Sequence, residues 1–227
     1  MTWKDVVVPI LFVIVLGGMA LLLTRRGRQN HEARAKAAAQ KNYQYNAATS
    51  VVVNKDVPRN LLYTLRDNSS NESSWKMEAY FRKNVKVGSS TTNNIVLYEN
   101  TKWLGNGGGF NGLIIPKSPI DLSVEEVAKS LETMGHKMNI RGLQRIALPE
   151  RLSKYFDMFS DDERQMTDFV QKNEESFFLV ADNYPIRRHL VIMITPDNIS
   201  MNVSWCIENP EDMMAFAELG ASLLILI

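Results

Sequence analysis

Gly107, Gly109 and Gly112 satisfy G-x-G-x-x-G, the spacing with which a nucleotide-binding turn brings phosphate up to a helix N-terminus. That chemistry needs a helix after the last glycine, and the residues that follow, Leu113-Ile114-Ile115-Pro116, have the composition of a strand. A hairpin loop is the expectation. Lys117 and Ser118 stand where a phosphate loop has its Lys-Ser pair, but Pro116 fills the position that needs glycine. His31, His136 and His189 lie far apart, and none has a neighbour at ligand spacing. Cys206 is the only cysteine, so no internal disulfide can form, and a reducing compartment suits it. It could act as a nucleophile with His189 on a paired strand, but no nucleophile signature surrounds it, and packing is the simpler role. Asp161, Asp162 and Glu163 could hold a cation, yet helix capping already accounts for them. No catalytic residue is assigned, and neither a cofactor nor a metal is expected.

The elements that would have to position such residues begin with an apolar run. Val6 to Leu23 is 18 residues without a charge, interrupted by Pro9 and the Gly17-Gly18 pair. A helix of that length reaches about 27 Å, close to the hydrocarbon thickness of a bilayer. A cleaved export signal would carry a basic N-region, a shorter apolar stretch and a small-x-small cleavage site, whereas here Lys4 is offset by Asp5. A permanent single-pass transmembrane helix is therefore expected. Arg25, Arg26, Arg28, Arg34, Lys36 and Lys41 follow the run against Lys4 before it, and basic flanks are retained on the cytoplasmic side. The domain after the span is placed in the cytoplasm. The same flank could also contact anionic lipid headgroups. Lysines and arginines number 26 against 25 acidic residues, a balance that argues against nucleic acid as a partner.

Residues 30–41 are rich in helix formers and lack a wide apolar stripe, so they read as a solvated stalk continuing the membrane helix. Leu61, Leu62 and Leu65 after Pro58 have the spacing of a short helix, and residues 67–74 read as a linker. Trp75, Met77, Ala79 and Phe81 alternate with polar residues as in a strand, and two more strands flank the glycine-rich loop. Ser123 with Glu126, and Ser160 with Glu163, each suit a capping box, with Leu122 and Val127 as a staple and Gly135 as a stop for the first helix. Residues 177–182, 188–195 and 199–207 read as strands, the last two joined by the turn residues Thr195-Pro196-Asp197-Asn198. Asn209 and Pro210 open a final helix with Met213, Phe216, Ala217, Gly220 and Leu224 along one side.

The resulting organisation is α+β: a short flank over 1–5, a transmembrane helix over 6–23, a basic juxtamembrane stalk and linker over 24–74, and a mixed sheet-and-helix domain over 75–227. The element order is compatible with two βββα units. Residues 150–224, which include "YFDMFSDDERQMTDFV", paired strands and "ENPEDMMAFAELGASLL", resemble bacterial single-pass membrane-anchored proteins of unknown function that carry a cytosolic α+β domain. That resemblance implies a non-catalytic role and lends no site residues. The expected function is a membrane-tethered cytosolic interaction or scaffold domain whose partners are the lipid bilayer and another protein. The alternative is a membrane-anchored enzyme or small-ligand sensor whose site is assembled from scattered residues.

Overall fold

A computed structural model describes residues 3–47, 51–53, 58–67, 75–83, 92–100, 109–118, 123–133, 142–182, 189–203, 207 and 209–225. The long helix α1 (Trp3–Gln40) opens the chain. It ends where Asn42 adopts a left-handed backbone (φ 59°) and its amide donates to the Ala39 carbonyl, which turns the chain back into β1 (Tyr43–Ala47). Then come β2 (Val51–Val53), β3 (Pro58–Asp67), β4 (Trp75–Lys83), β5 (Thr92–Asn100) and β6 (Gly112–Pro116). Helix α2 (Val124–Thr133), β7 (Gln144–Ile146), the single turn α3 (Glu150–Ser153) and β8 (Phe156–Ser160) follow. The chain continues through α4 (Glu163–Lys172), α5 (Glu174–Asp182), β9 (Leu190–Thr195), β10 (Asn198–Val203) and α6 (Pro210–Ile225).

Among the described residues the ten strands make one sheet, in the order β1-β3-β4-β5-β10-β9-β6-β8-β7 with β2 also on β3, and every pairing is antiparallel. The register sets Tyr45, Leu65, Met77, Tyr98, Met201, Ile192, Ile114, Met158 and Ile146 opposite one another in turn, a row that crosses nine strands. Residues directly opposite share a face, and Leu65, Met77, Met201, Ile192, Ile114, Met158 and Ile146 of this row belong to the main core. Ala38 of α1, Leu152 of α3, Met166 of α4, Phe177 of α5 and Phe216 of α6 belong to the same cluster. On the other face Leu113, Phe159 and Val191 pack with Val127 of α2. The sheet is thus covered on both sides across β6, β8 and β9.

Several expectations hold in detail. The Ser123–Glu126 capping box forms in both directions, at 2.8 and 3.3 Å. β9 and β10 pair as the expected hairpin. Asn209 Oδ1 accepts the Glu211 amide at the head of α6, with Met213, Phe216, Ala217 and Gly220 buried beneath. Leu122, Gly135 and the side chain of Leu224 lie outside the described residues.

Others are corrected. The segment expected as a short helix is β3, because a β-bulge inserts Leu62 between Leu61 and Tyr63 and so gives a strand the leucine spacing of a helix. Residues 177–182, expected as a strand, belong to α5: Glu174 and Glu175 occupy its first turn, and Phe177 and Ala181 bury one face. The cap of α4 is Asp162, whose side chain accepts the Gln165 amide, while Ser160 closes β8. Residues 30–40 are not a solvated stalk, since Arg34 and Ala38 are buried against the sheet and α6. The domain boundary at 75 moves back, because β1 and β3 are strands of the same sheet. The two βββα units are not separate, because β6 pairs with β8 and β9, away from β4 and β5.

Among the described residues, no helix is long and apolar enough to cross a membrane. Over α1's first 22 positions, side chains are described at 15–19 and 22, so for the span expected over 6–23 the helix is described but most of its side chains are not.

Candidate functional site

Among the described residues, the glycine and acidic motifs hold parts of the fold together. Gly109 has φ +76°, and a Cβ on it would lie 2.5 Å from the Pro196 Cβ, so glycine is needed there for close approach to the β9–β10 turn. Gly112 opens β6, with no helix after it, and Gly107 lies outside the described residues. Asp161 is clasped by Asn111, whose backbone amide and side-chain amide donate to its two oxygens at 2.8 and 2.7 Å. Asp162 accepts two hydrogen bonds from Gln165, which hold its carboxyl below the usual range. His136 and Cys206 lie outside the described residues, and His189 precedes β9. Among the described residues no group of three His, Cys, Asp or Glu could hold a metal ion.

A second polar cluster centres on Asp157, buried on the α2 face of β8. Its Oδ1 accepts from Lys117 Nζ at 2.7 Å and Arg145 Nη1 at 3.1 Å, and its Oδ2 accepts the Ser118 amide. Arg145 also stacks over Phe159, 5.3 Å from the ring centroid. The carboxylate thereby ties the ends of β6 and β7 to β8. Asp157→Asn keeps the shape but loses the charge, and it should lower stability by about 1–3 kcal/mol in a denaturant titration. No change in the midpoint would mean that water satisfies Lys117 and Arg145 equally well.

The cluster with the widest consequence is the seat of α1. His31, Arg34 and Ala38 lie on one stripe of the helix at i, i+3 and i+7. Arg34 is 8% exposed; its guanidinium lies over Tyr63 at 5.1 Å, and Nη2 donates to the Ile207 carbonyl at 3.5 Å. Tyr45 of β1 hydrogen-bonds His31 Nδ1 and Arg34 and packs on Tyr63, with ring centroids 5.5 Å apart. At the far end Lys41 pairs with Glu218 of α6 at 2.7 Å. The contacts of Arg34 with Ile207 and of Lys41 with Glu218 tie the end of α1 to α6 and the segment before it. The charged and aromatic seat turns the His31, Arg34 and Ala38 stripe of α1 towards the sheet, where Arg34 meets both Tyr63 and Ile207.

Burial, and then the nearby Arg34, hold the His31 imidazole below its usual value. The folded protein therefore binds that proton less readily than the unfolded chain, and the contribution of the seat is complete above about pH 6.5 and lost as pH falls through the lowered value. Acidification from pH 7.5 to 5.5 should lower the melting temperature more for the native chain than for His31→Gln. An equal drop in both would remove His31 from the seat.

The basic flank read from the sequence divides into two kinds. Arg34 and Lys41 are structural, as just described. Arg25, Arg28 and Lys36 are exposed, with Arg28 paired to Glu32 one turn on at 2.9 Å; the side chain of Arg26 lies outside the described residues. Beyond them towards the N-terminus, Val15, Leu16, Gly17, Gly18, Met19 and Leu22 are all exposed. Five consecutive helical positions sweep about 400°, so over 15–19 the helix is exposed on every side, and among the described residues none packs on it.

The seat was hidden in the sequence because its stripe carries a histidine and an arginine where an apolar stripe would be looked for. The spacing of His31, Arg34, Ala35 and Ala38 was the available signal. Comparison with family models, with curated proteins and with solved structures returns no match to this chain.

Proposed function

We propose that this chain is a single-pass membrane protein whose α+β domain lies in the cytoplasm and acts by binding another protein at the bilayer surface. The observation that carries the reading is the apolar stretch of helix at 15–19, exposed all round and, among the described residues, without a packing partner. In water such a surface is unfavourable by about 25 cal/mol per Å2, whereas in a bilayer it is matched. The basic flank after it favours a cytoplasmic domain. A scaffold role is supported by the way the described polar clusters close on themselves: Asp161 with Asn111, Asp162 with Gln165, and Asp157 with Lys117 and Arg145. They hold elements together and leave recognition to surfaces.

The sequence carries its own orientation reporters. Asn68 and Asn71 lie in Asn-x-Ser sequons after the first strands. Synthesis of the full chain with glycosylating microsomes should add no glycan at either, and protease outside the vesicles should digest the domain. Glycan addition with protection from protease would reverse the orientation.

A further inference from the structure

We propose that Arg25, Arg26 and Arg28 form a collar on α1 that binds anionic phospholipid headgroups, and that Arg34, Lys36 and Lys41 take no part in it. The proposal rests on the membrane reading above and adds to it a lipid class and a boundary.

The boundary comes from the continuity of α1, which runs as one helix from Trp3 to Gln40. Taking Leu23 as the edge of the hydrocarbon, a rise of 1.5 Å per residue puts Arg25 about 3 Å and Arg28 about 7.5 Å beyond it. The polar headgroup layer is roughly 5–7 Å thick on each side, so these positions lie within or at the rim of it. Arg25, Arg26 and Arg28 together span about 160° of the helix circumference, which lets several headgroups approach at once. Lys36 lies about 20 Å out, more than twice the Debye length of about 8 Å, so it is screened from the surface charge. Arg34 is committed to Tyr63 and Ile207, and Lys41 to Glu218. Of the six basic residues after the span, the helix therefore offers the lipid the exposed Arg25 and Arg28, with Arg26 at the neighbouring helical position.

Glu32 sets the strength of the contact. Its carboxylate lies 2.9 Å from Arg28 Nε on an exposed turn, and so competes with a phosphate for the same guanidinium. The seat adds a constraint, since His31 meets Tyr45 only two turns beyond Arg25. A collar docked on headgroups thus holds the domain at a fixed height above the bilayer and with one side turned to it.

The test uses the full chain reconstituted in phosphatidylcholine vesicles, with trace spin-labelled phosphatidylglycerol or spin-labelled phosphatidylcholine as the probe. The motion-restricted fraction should be severalfold larger for phosphatidylglycerol at low salt and should fall as salt is raised. Arg25→Gln with Arg28→Gln should reduce the preference by up to about fivefold per arginine, the equivalent of about 1 kcal/mol each. Glu32→Gln should raise it, and Lys36→Gln should leave it as it was. Equal association of the two lipids with a chain that resists alkaline extraction would overturn the collar alone. An effect of Lys36→Gln as large as that of the arginine pair would overturn the boundary. Loss of the chain from the vesicles on alkaline washing would overturn the membrane reading, and the collar with it.

Discussion

Phe177→Ala should destabilise the domain by about 3–5 kcal/mol, among the largest effects of any single truncation in this fold. Phe177 is 1% exposed on α5, with Phe156 of β8 and Phe169 of α4 each at 6.1 Å in edge-to-face arrangements. Removing the ring leaves a cavity that neither neighbour can fill, because Phe156 is held by its strand and Phe169 by a helix whose last turn is tied to Asn173. Leu179→Ala, two residues on, is the internal control. That side chain is 71% exposed, so its loss should change stability by less than about 0.5 kcal/mol. Similar effects of the two substitutions in chemical denaturation would return residues 177–182 to a strand, where Phe177 and Leu179 share a face.

The second large effect concerns α1. A soluble chain of residues 25–227 should fold with its seat intact, whereas residues 42–227 should be less stable by about 1.5–3 kcal/mol or more, from re-exposure of Tyr63, over which Arg34 lies. Tyr63 is 1% exposed in the whole protein and belongs to the cluster that includes Ala38. Equal melting of the two chains would make residues 25–41 the solvated stalk that their polarity suggests.

How much of this could be read from the sequence depends on whether local and tertiary signals agreed. β4, β9, β10, α2 and α6 were legible because alternation, caps and turn residues all specified the same element. β3 and α5 were not. In β3 a bulge at Leu62 shifted the apolar positions out of alternation, and in α5 the run Phe177-Phe178-Leu179-Val180 obscured the acidic first turn that marks a helix. The seat of α1 was illegible for another reason: its stripe becomes a core surface only when Tyr45 and Tyr63, from two strands, supply an aromatic wall for a cation. Of the six basic residues singled out at the start, sequence position could not separate Arg34 and Lys41 from the rest. The difference lies in Ile207 and Glu218, more than 170 residues further along the chain.

The account turns on where the exposed apolar residues of α1 reside, and alkaline extraction of membranes containing the full chain measures that directly. The full chain should remain in the membrane pellet at pH 11, and residues 25–227 should be recovered in the supernatant. Release of the full chain by alkali would contradict a spanning helix, and would leave Val15, Leu16, Met19 and Leu22 to be covered by protein instead of lipid.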